Sequence, residues 1–232
     1  MQYAGFERID AKTNKILSKE MKYSDKKIID MKKSPEEVIS INTALWNKIY
    51  KTSILKEIKE IENPPRILED MMFLALVYLK INKISFVEDY LYYYMVREGS
   101  AMNTLKEDEI KSIQQVMITI KEEYKNSEYA KERMEVLAAM AFLHFGISLM
   151  LKVFENNRKD FKKEYKQNLE FLDKNFNEWR TTKYLKIGHT LFRCRKNLKV
   201  AIVKKVYSLN LFYLFLSTYK VIAEKLKIDI KW

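Results

Sequence analysis

The 232-residue chain has one cysteine, three prolines, four glycines and two histidines. A single thiol, Cys194, forms no internal disulfide, and that fits a reducing compartment. So few prolines and glycines disfavour a sheet-rich fold built on many tight turns and point to long helices. Four glycines leave no phosphate-cradling Gly-rich loop. His144 and His189 lie far apart, and one cysteine supplies no zinc-ligand spacing. His144 falls in an apolar run, where a satisfied core histidine is the expectation. Cys194 stands among Arg193, Arg195 and Lys196, which favour the thiolate, but it has no neighbouring base in sequence and reads as incidental. No charged-then-apolar leader with a small-residue cleavage site opens the sequence, so no secretory signal is expected.

Hydrophobic residues make up 47% of the chain, enough for one or two domains with real cores. Net charge is +12, unevenly spread. Residues 180–232 hold 13 Lys/Arg against two acids, Glu224 and Asp229, whereas residues 1–179 hold 30 basic and 29 acidic residues. A basic tail seeks phosphates, in nucleic acid or in anionic headgroups.

Residues 3–9 read as a strand and 15–17 as a short return strand, followed by a Lys-rich connector to residue 33. Ser34-Pro35-Glu36-Glu37 predicts a helix start, with Ser as cap and Pro at the first helical position. Residues 46–50 suit a short strand, and Thr52 or Ser53 suits the cap of a short helix through Ile58. Asn63-Pro64-Pro65 is a loop that delivers Glu69-Asp70 to a helix over 71–81, apolar on most of its circumference and therefore buried. Residues 84–87 and 91–96 are two further strand candidates. Helices are expected over 107–125, 129–153 and 158–175. The run 136–151 is sixteen residues without formal charge, short of the roughly 20 that span a bilayer, and reads as a core helix. Residues 209–219, rich in Leu, Phe and Tyr between lysines, suit either a helix lying in a membrane interface or a core helix with solvated ends.

Four segments together resemble a known family: Tyr3-Ala4-Gly5-Phe6-Glu7-Arg8-Ile9-Asp10, Trp46-Asn47-Lys48-Ile49-Tyr50, Glu69-Asp70-Met71-Met72-Phe73, and Leu91-Tyr92-Tyr93-Tyr94 leading to Arg97-Glu98-Gly99-Ser100. Their order and spacing resemble the C-terminal half of the catalytic domain of bacterial family-2 glycosyltransferases, of GT-A fold. The resemblance covers about the first 104 residues. It implies an α/β remnant with few strands over 1–104, followed by a mainly helical region over 105–232 with a basic tail over 180–232, so that the whole is predominantly helical.

The resemblance also implies inverting transfer of a sugar from a nucleotide sugar to a glycan or lipid-linked acceptor, in cell-surface polysaccharide synthesis. Asp70 matches the catalytic base, and Glu69 an orienting neighbour or spare base. A carboxylate sharpens a sugar hydroxyl as a nucleophile, and a helix N-terminus favours the ionised form. Trp46 matches a position near the sugar cleft, where an indole stacks on a pyranose or belongs to the core. Lys48 suits phosphate or acceptor contact, or else a solvated surface. Arg97 and Ser100 match a loop that closes over the diphosphate, as suits a guanidinium and a hydroxyl. Tyr92, Tyr93 and Tyr94 read as strand packing.

Two departures stand out. Met95 follows the tyrosines where the family often has Arg. No two Asp residues are separated by one position, so the family's DxD metal motif is missing, and with it the Mn2+ or Mg2+ site. The expectation is a fragment that is inactive by itself, cytoplasmic or peripheral at the inner face of a bacterial membrane, with an anionic membrane surface as a further partner. A non-catalytic helical module that docks a partner is the alternative, and nucleic-acid binding through the tail ranks last.

Overall fold

Five consecutive buried residues, from Tyr3 to Glu7, make β1 (Gln2–Asp10) a strand covered on both faces. In the computed structural model, which describes residues 1–21, 27–97, 107–128, 130–156 and 161–226, that strand lies inside a mixed sheet. β2 (Ile16–Glu20) pairs antiparallel to its outer half. β4 (Lys48–Ile49) pairs antiparallel to its start, opposite Gln2 and Tyr3. β5 (Lys83–Val96) runs parallel to β1 along its full length, and β3 (Ile28–Asp30) pairs antiparallel to the beginning of β5. The connector expected up to residue 33 therefore contributes strand residues at both ends.

Parallel neighbours need a crossover, and here the crossover carries α1 (Thr52–Leu55) and α2 (Glu69–Lys80). Met71, Met72, Leu74, Ala75, Leu76, Val77 and Tyr78 are all buried, so α2 is enclosed on nearly every side, as its composition requires. α3 (Glu107–Lys125) packs on α2, and the Tyr124 hydroxyl donates to the Ala75 carbonyl at 2.8 Å. Two compact units result, residues 1–133 and 134–232. The first reaches past residue 104 because α3 belongs to the packing of α2.

Four local expectations change. The helix expected through Ile58 with Thr52 or Ser53 as cap ends at Leu55, and its cap position is Lys51, with no side-chain cap. The segment after Ser34 is a short 3-10 helix, Pro35–Ser40, and Ser34 makes no side-chain cap. Its turns close through i→i+3 bonds, Glu37 N–H to Ser34 O and Ile41 N–H to Val38 O. The two strand candidates after α2 are one strand. Glu88 and Asp89 fall in a bulge, where the register jumps from Ala4 opposite Val87 to Gly5 opposite Tyr90. Gly5 is required there, because a Cβ would lie 2.9 Å from the Tyr90 ring and 3.1 Å from the Asp89 carbonyl. The long helix expected over 129–153 is α4 (Ala130–Ala141), a π-helical stretch Phe142–Leu149, and α5 (Met150–Asn156).

The second unit is helical and continues with α6 (Phe161–Asn175), α7 (Glu178–Thr181), α8 (Ile187–Arg193), α9 (Leu198–Ser208) and α10 (Phe212–Leu226). Widening to i→i+5 disturbs the normal carbonyl ladder, and side chains take up three of its oxygens. Ser148 donates to Leu143 O, Asn168 to Phe145 O, and Tyr207 to Gly146 O. Gly146 lets the Phe142 ring close in, since a Cβ would meet that ring at 2.8 Å. Phe142 in turn stacks on Trp179 at 4.5 Å and meets Tyr207 edge-on. By length and composition the stretch Ala130–Glu155 could cross a membrane, yet 83% of its apolar window is buried within the protein.

His144 sits in this apolar stretch, and burial lowers its pKa to about 4. The fold thus holds a neutral imidazole, while the unfolded chain protonates near the ordinary value of about 6.5. Between those values the unfolded state binds more protons, so stability falls as pH drops through that window. Unfolding of the chain in urea at pH 7 and at pH 4 should differ by about 3 kcal/mol from this group. His144→Leu should remove that part of the difference; an unchanged pH profile would contradict it.

Candidate functional site

The loop before β4 is built around one ammonium. Lys48 is 7% exposed, and its Nζ donates to the carbonyls of Asn42 at 2.6 Å and Ala44 at 2.5 Å and to Asn47 Oδ1 at 2.8 Å. Burial lowers its pKa to about 7, partly opposed by the Asp70 carboxylate. Three acceptors for three N–H bonds also favour the charged amine. The expectation of a solvated lysine therefore gives way to an internal tie that closes residues 42–48 into a compact loop. Asn47 completes the tie: its backbone carbonyl accepts from Ala4 N–H at 3.1 Å, and its Nδ2 donates to Ala4 O at 3.0 Å.

Trp46 is engaged from several sides. Its indole stacks on Tyr92 at 4.4 Å and Tyr94 at 5.3 Å, and it meets Phe6 edge-on at 4.8 Å. Tyr92 and Tyr94 share a face because they are two residues apart on β5. The aromatic group thus pins the loop to the sheet. A cavity of about 220 Å³ opens beside it, walled by Trp46, Asn47, Lys48, Ile49, Leu91 and Tyr92.

Asp70 stands on the other side of Lys48, in the first turn of α2. The chain enters that helix through Leu68, whose φ of 66° is left-handed and whose side chain gives no cap. A non-glycine residue in this region carries strain, on the order of 1 kcal/mol. The turn puts Glu69 in solvent and leaves Asp70 half-buried. Burial raises the Asp70 pKa above the usual carboxylate value, against the opposing pull of the Lys48 ammonium and a hydrogen bond from Leu45 N–H. The carboxyl is therefore a stronger base than a free Asp.

Tyr50 is the residue that sequence reading left out. It lies two positions past Lys48, so it points to the same side of the chain. Its hydroxyl is buried with no hydrogen-bond partner among the described residues, and burial together with the nearby Asp70 charge raises its pKa. The hydroxyl of Tyr78, a buried residue of α2, likewise has no hydrogen-bond partner among the described residues, and it interacts electrostatically with Tyr50. An orphan phenol costs free energy unless something accepts its proton. The period-2 spacing of Lys48 and Tyr50 was the available signal.

The structure brings Asp70, Lys48 and Tyr50 together, with Trp46 attached through the same loop. It does not bring Arg97 to them. Lys48 pairs at the level of Tyr3, while Val96 pairs at the level of Asp10; the intervening strand spans on the order of 20 Å. Arg97 follows Val96 and is exposed. Ser100 lies outside the described residues. Among the described residues, no group of three or more His, Cys, Asp or Glu side chains is arranged to hold a metal ion. Compared with known proteins, the chain matches no family model, no curated protein and no solved structure.

If Lys48 is a structural tie, Lys48→Met should leave three acceptors without their donor. The expected cost is about 1–3 kcal/mol in urea unfolding. Lys19→Met, which removes an exposed lysine paired with Glu7 at 2.7 Å, should cost less than about 1 kcal/mol. Equal effects would place Lys48 among ordinary surface lysines.

Proposed function

We propose that residues 1–133 form the acceptor side of an inverting sugar-transfer site, with Asp70 as the base. The observation that carries this reading is the Asp70 carboxyl: half-buried at the rim of an otherwise enclosed helix, raised in pKa, beside an unpaired phenol. The order of the four segments that resemble family-2 glycosyltransferases supports it. In the reaction, the acceptor hydroxyl oxygen bonds to the anomeric carbon as its proton passes to Asp70. The bond from that carbon to the diphosphate oxygen breaks, and the nucleoside diphosphate leaves. Tyr50, whose hydroxyl is buried near the Asp70 charge, belongs to the wall behind the carboxylate. The donor and any metal require a further, donor-binding half, because this sequence has no Asp-x-Asp.

A non-catalytic docking module is the second reading, and the Leu45 N–H bond to Asp70 favours it. Asparagine separates the two, since its Oδ1 still accepts from Leu45 while the amide takes no proton. In an enzyme that contains this chain with a donor-binding half, Asp70→Asn should lower kcat by about 10²–10⁴-fold at unchanged urea midpoint. The wild-type rate should rise with pH through a value above the ordinary carboxylate range and then level. The chain alone should release no nucleoside diphosphate from nucleotide sugars with Mn2+. Retained kcat in Asp70→Asn would assign the carboxylate to structure.

A further inference from the structure

Between Arg180 and Lys220 the chain carries ten Lys/Arg and no acidic residue. The same stretch leaves large apolar side chains in solvent. On α8, Ile187 and Leu191 are each 41% exposed and Phe192 is 89% exposed. The i, i+4 spacing puts Ile187 and Leu191 on one side of the helix, with Phe192 next to them. Gly188, between them, would meet nothing if it carried a Cβ. Lys186 precedes this helix and Arg193 ends it. The pattern continues in Ile202 of α9 and in Leu209, Leu211, Tyr213 and Leu214, all exposed. Phe212 and Leu216 are buried, so residues 209–219 supply both core and surface.

One cation stands apart. Lys204 is 8% exposed, and its ammonium has no hydrogen-bond or ion-pair partner among the described residues. Burial lowers its pKa to about 8, and the charges of Lys186 and Arg180 add to the effect. Arg180 is partly neutralised, because its guanidinium forks onto Asp173 at 2.7 and 2.8 Å. Among the described residues neither Lys186 nor Lys204 has an ion-pair partner, so their fields add. An anion at that place is stabilised by both.

The geometry points to a docking surface for an anionic lipid bilayer, with Lys186 and Lys204 binding lipid phosphates and Ile187, Leu191 and Phe192 entering the boundary between headgroups and acyl chains. Charge complementarity selects this occupant. A second copy of the chain would bring the same excess of cations, and like charges oppose that contact. Nucleic acid satisfies the cations but leaves the aliphatic side chains wet. An anionic bilayer offers phosphates above and hydrocarbon beneath, which matches amphipathic, basic interfacial segments. This inference is independent of the sugar-transfer reading.

Flotation of the full chain with extruded vesicles tests it. Vesicles of phosphatidylglycerol and phosphatidylcholine in equal parts should carry the protein at low salt and release it at high salt. Phosphatidylcholine alone should not carry it. Phe192→Ser, at an exposed position, should lower partitioning about tenfold with the circular dichroism spectrum unchanged. Lys186→Ala combined with Lys204→Met should lower it by a similar factor and flatten the salt dependence. Failure to float with the anionic vesicles overturns the proposal, as does full partitioning of Phe192→Ser, which would reduce the effect to bare charge. A shift of labelled single-stranded DNA at protein concentrations where the anionic vesicles bind nothing overturns it in favour of nucleic acid.

Discussion

The enclosure of α2 is the constraint on which the first unit depends. A helix apolar around its circumference is stable only when every side is covered. α3 packs on α2, and α1 adds to the cover. The polar residues of such a helix are confined to its ends. The acidic pair Glu69-Asp70 therefore marks the rim of the packed region, and the left-handed turn at Leu68 decides which carboxyl looks outward. Glu69 goes to solvent and Asp70 toward the Lys48 loop. Site geometry here is a consequence of core packing, carried one residue past the core's edge.

Much of this was legible. β1, α2 and α3 follow from hydrophobic pattern alone, because each is either alternating, enclosed or amphipathic over a long stretch. β5 was not, since Glu88-Asp89 carries the chemistry of a turn and nothing local says that a parallel partner continues past it. Only Gly5, on another strand, accommodates that bulge. The π-helical stretch was hidden for a similar reason. Its oxygens are taken by Asn168 and Tyr207, far away in sequence, and a helical pattern does not record which carbonyls lack their usual partner.

The candidate site divides the same way. Asp70 at a helix start was readable from a loop followed by an apolar run. The burial of Lys48 was not, because a lysine between an amide and an isoleucine has no local mark of its acceptors. Trp46-Asn47-Lys48 proves to be three kinds of attachment in succession: a ring on Tyr92 and Tyr94, an amide on Ala4, an ammonium on its own loop. A motif conspicuous for its chemistry can thus be built for placement. What it places is Tyr50 near Asp70, and the partner that sequence reading valued least is the one whose buried hydroxyl has no hydrogen-bond partner among the described residues.

That arrangement also settles how an ammonium and a base coexist. Lys48 alone would lower the Asp70 pKa and weaken it as a proton acceptor. Its three N–H groups, however, are directed at Asn42, Ala44 and Asn47 oxygens, so Asp70 feels its charge without receiving a hydrogen bond from it. Burial then outweighs the attraction, and the Asp70 pKa moves up. Were the loop to loosen and free the ammonium to bond the carboxylate, the balance would reverse and the base would weaken. The loop therefore acts on the carboxylate in two ways, by turning the ammonium's N–H groups away from it and by the Leu45 N–H bond to it.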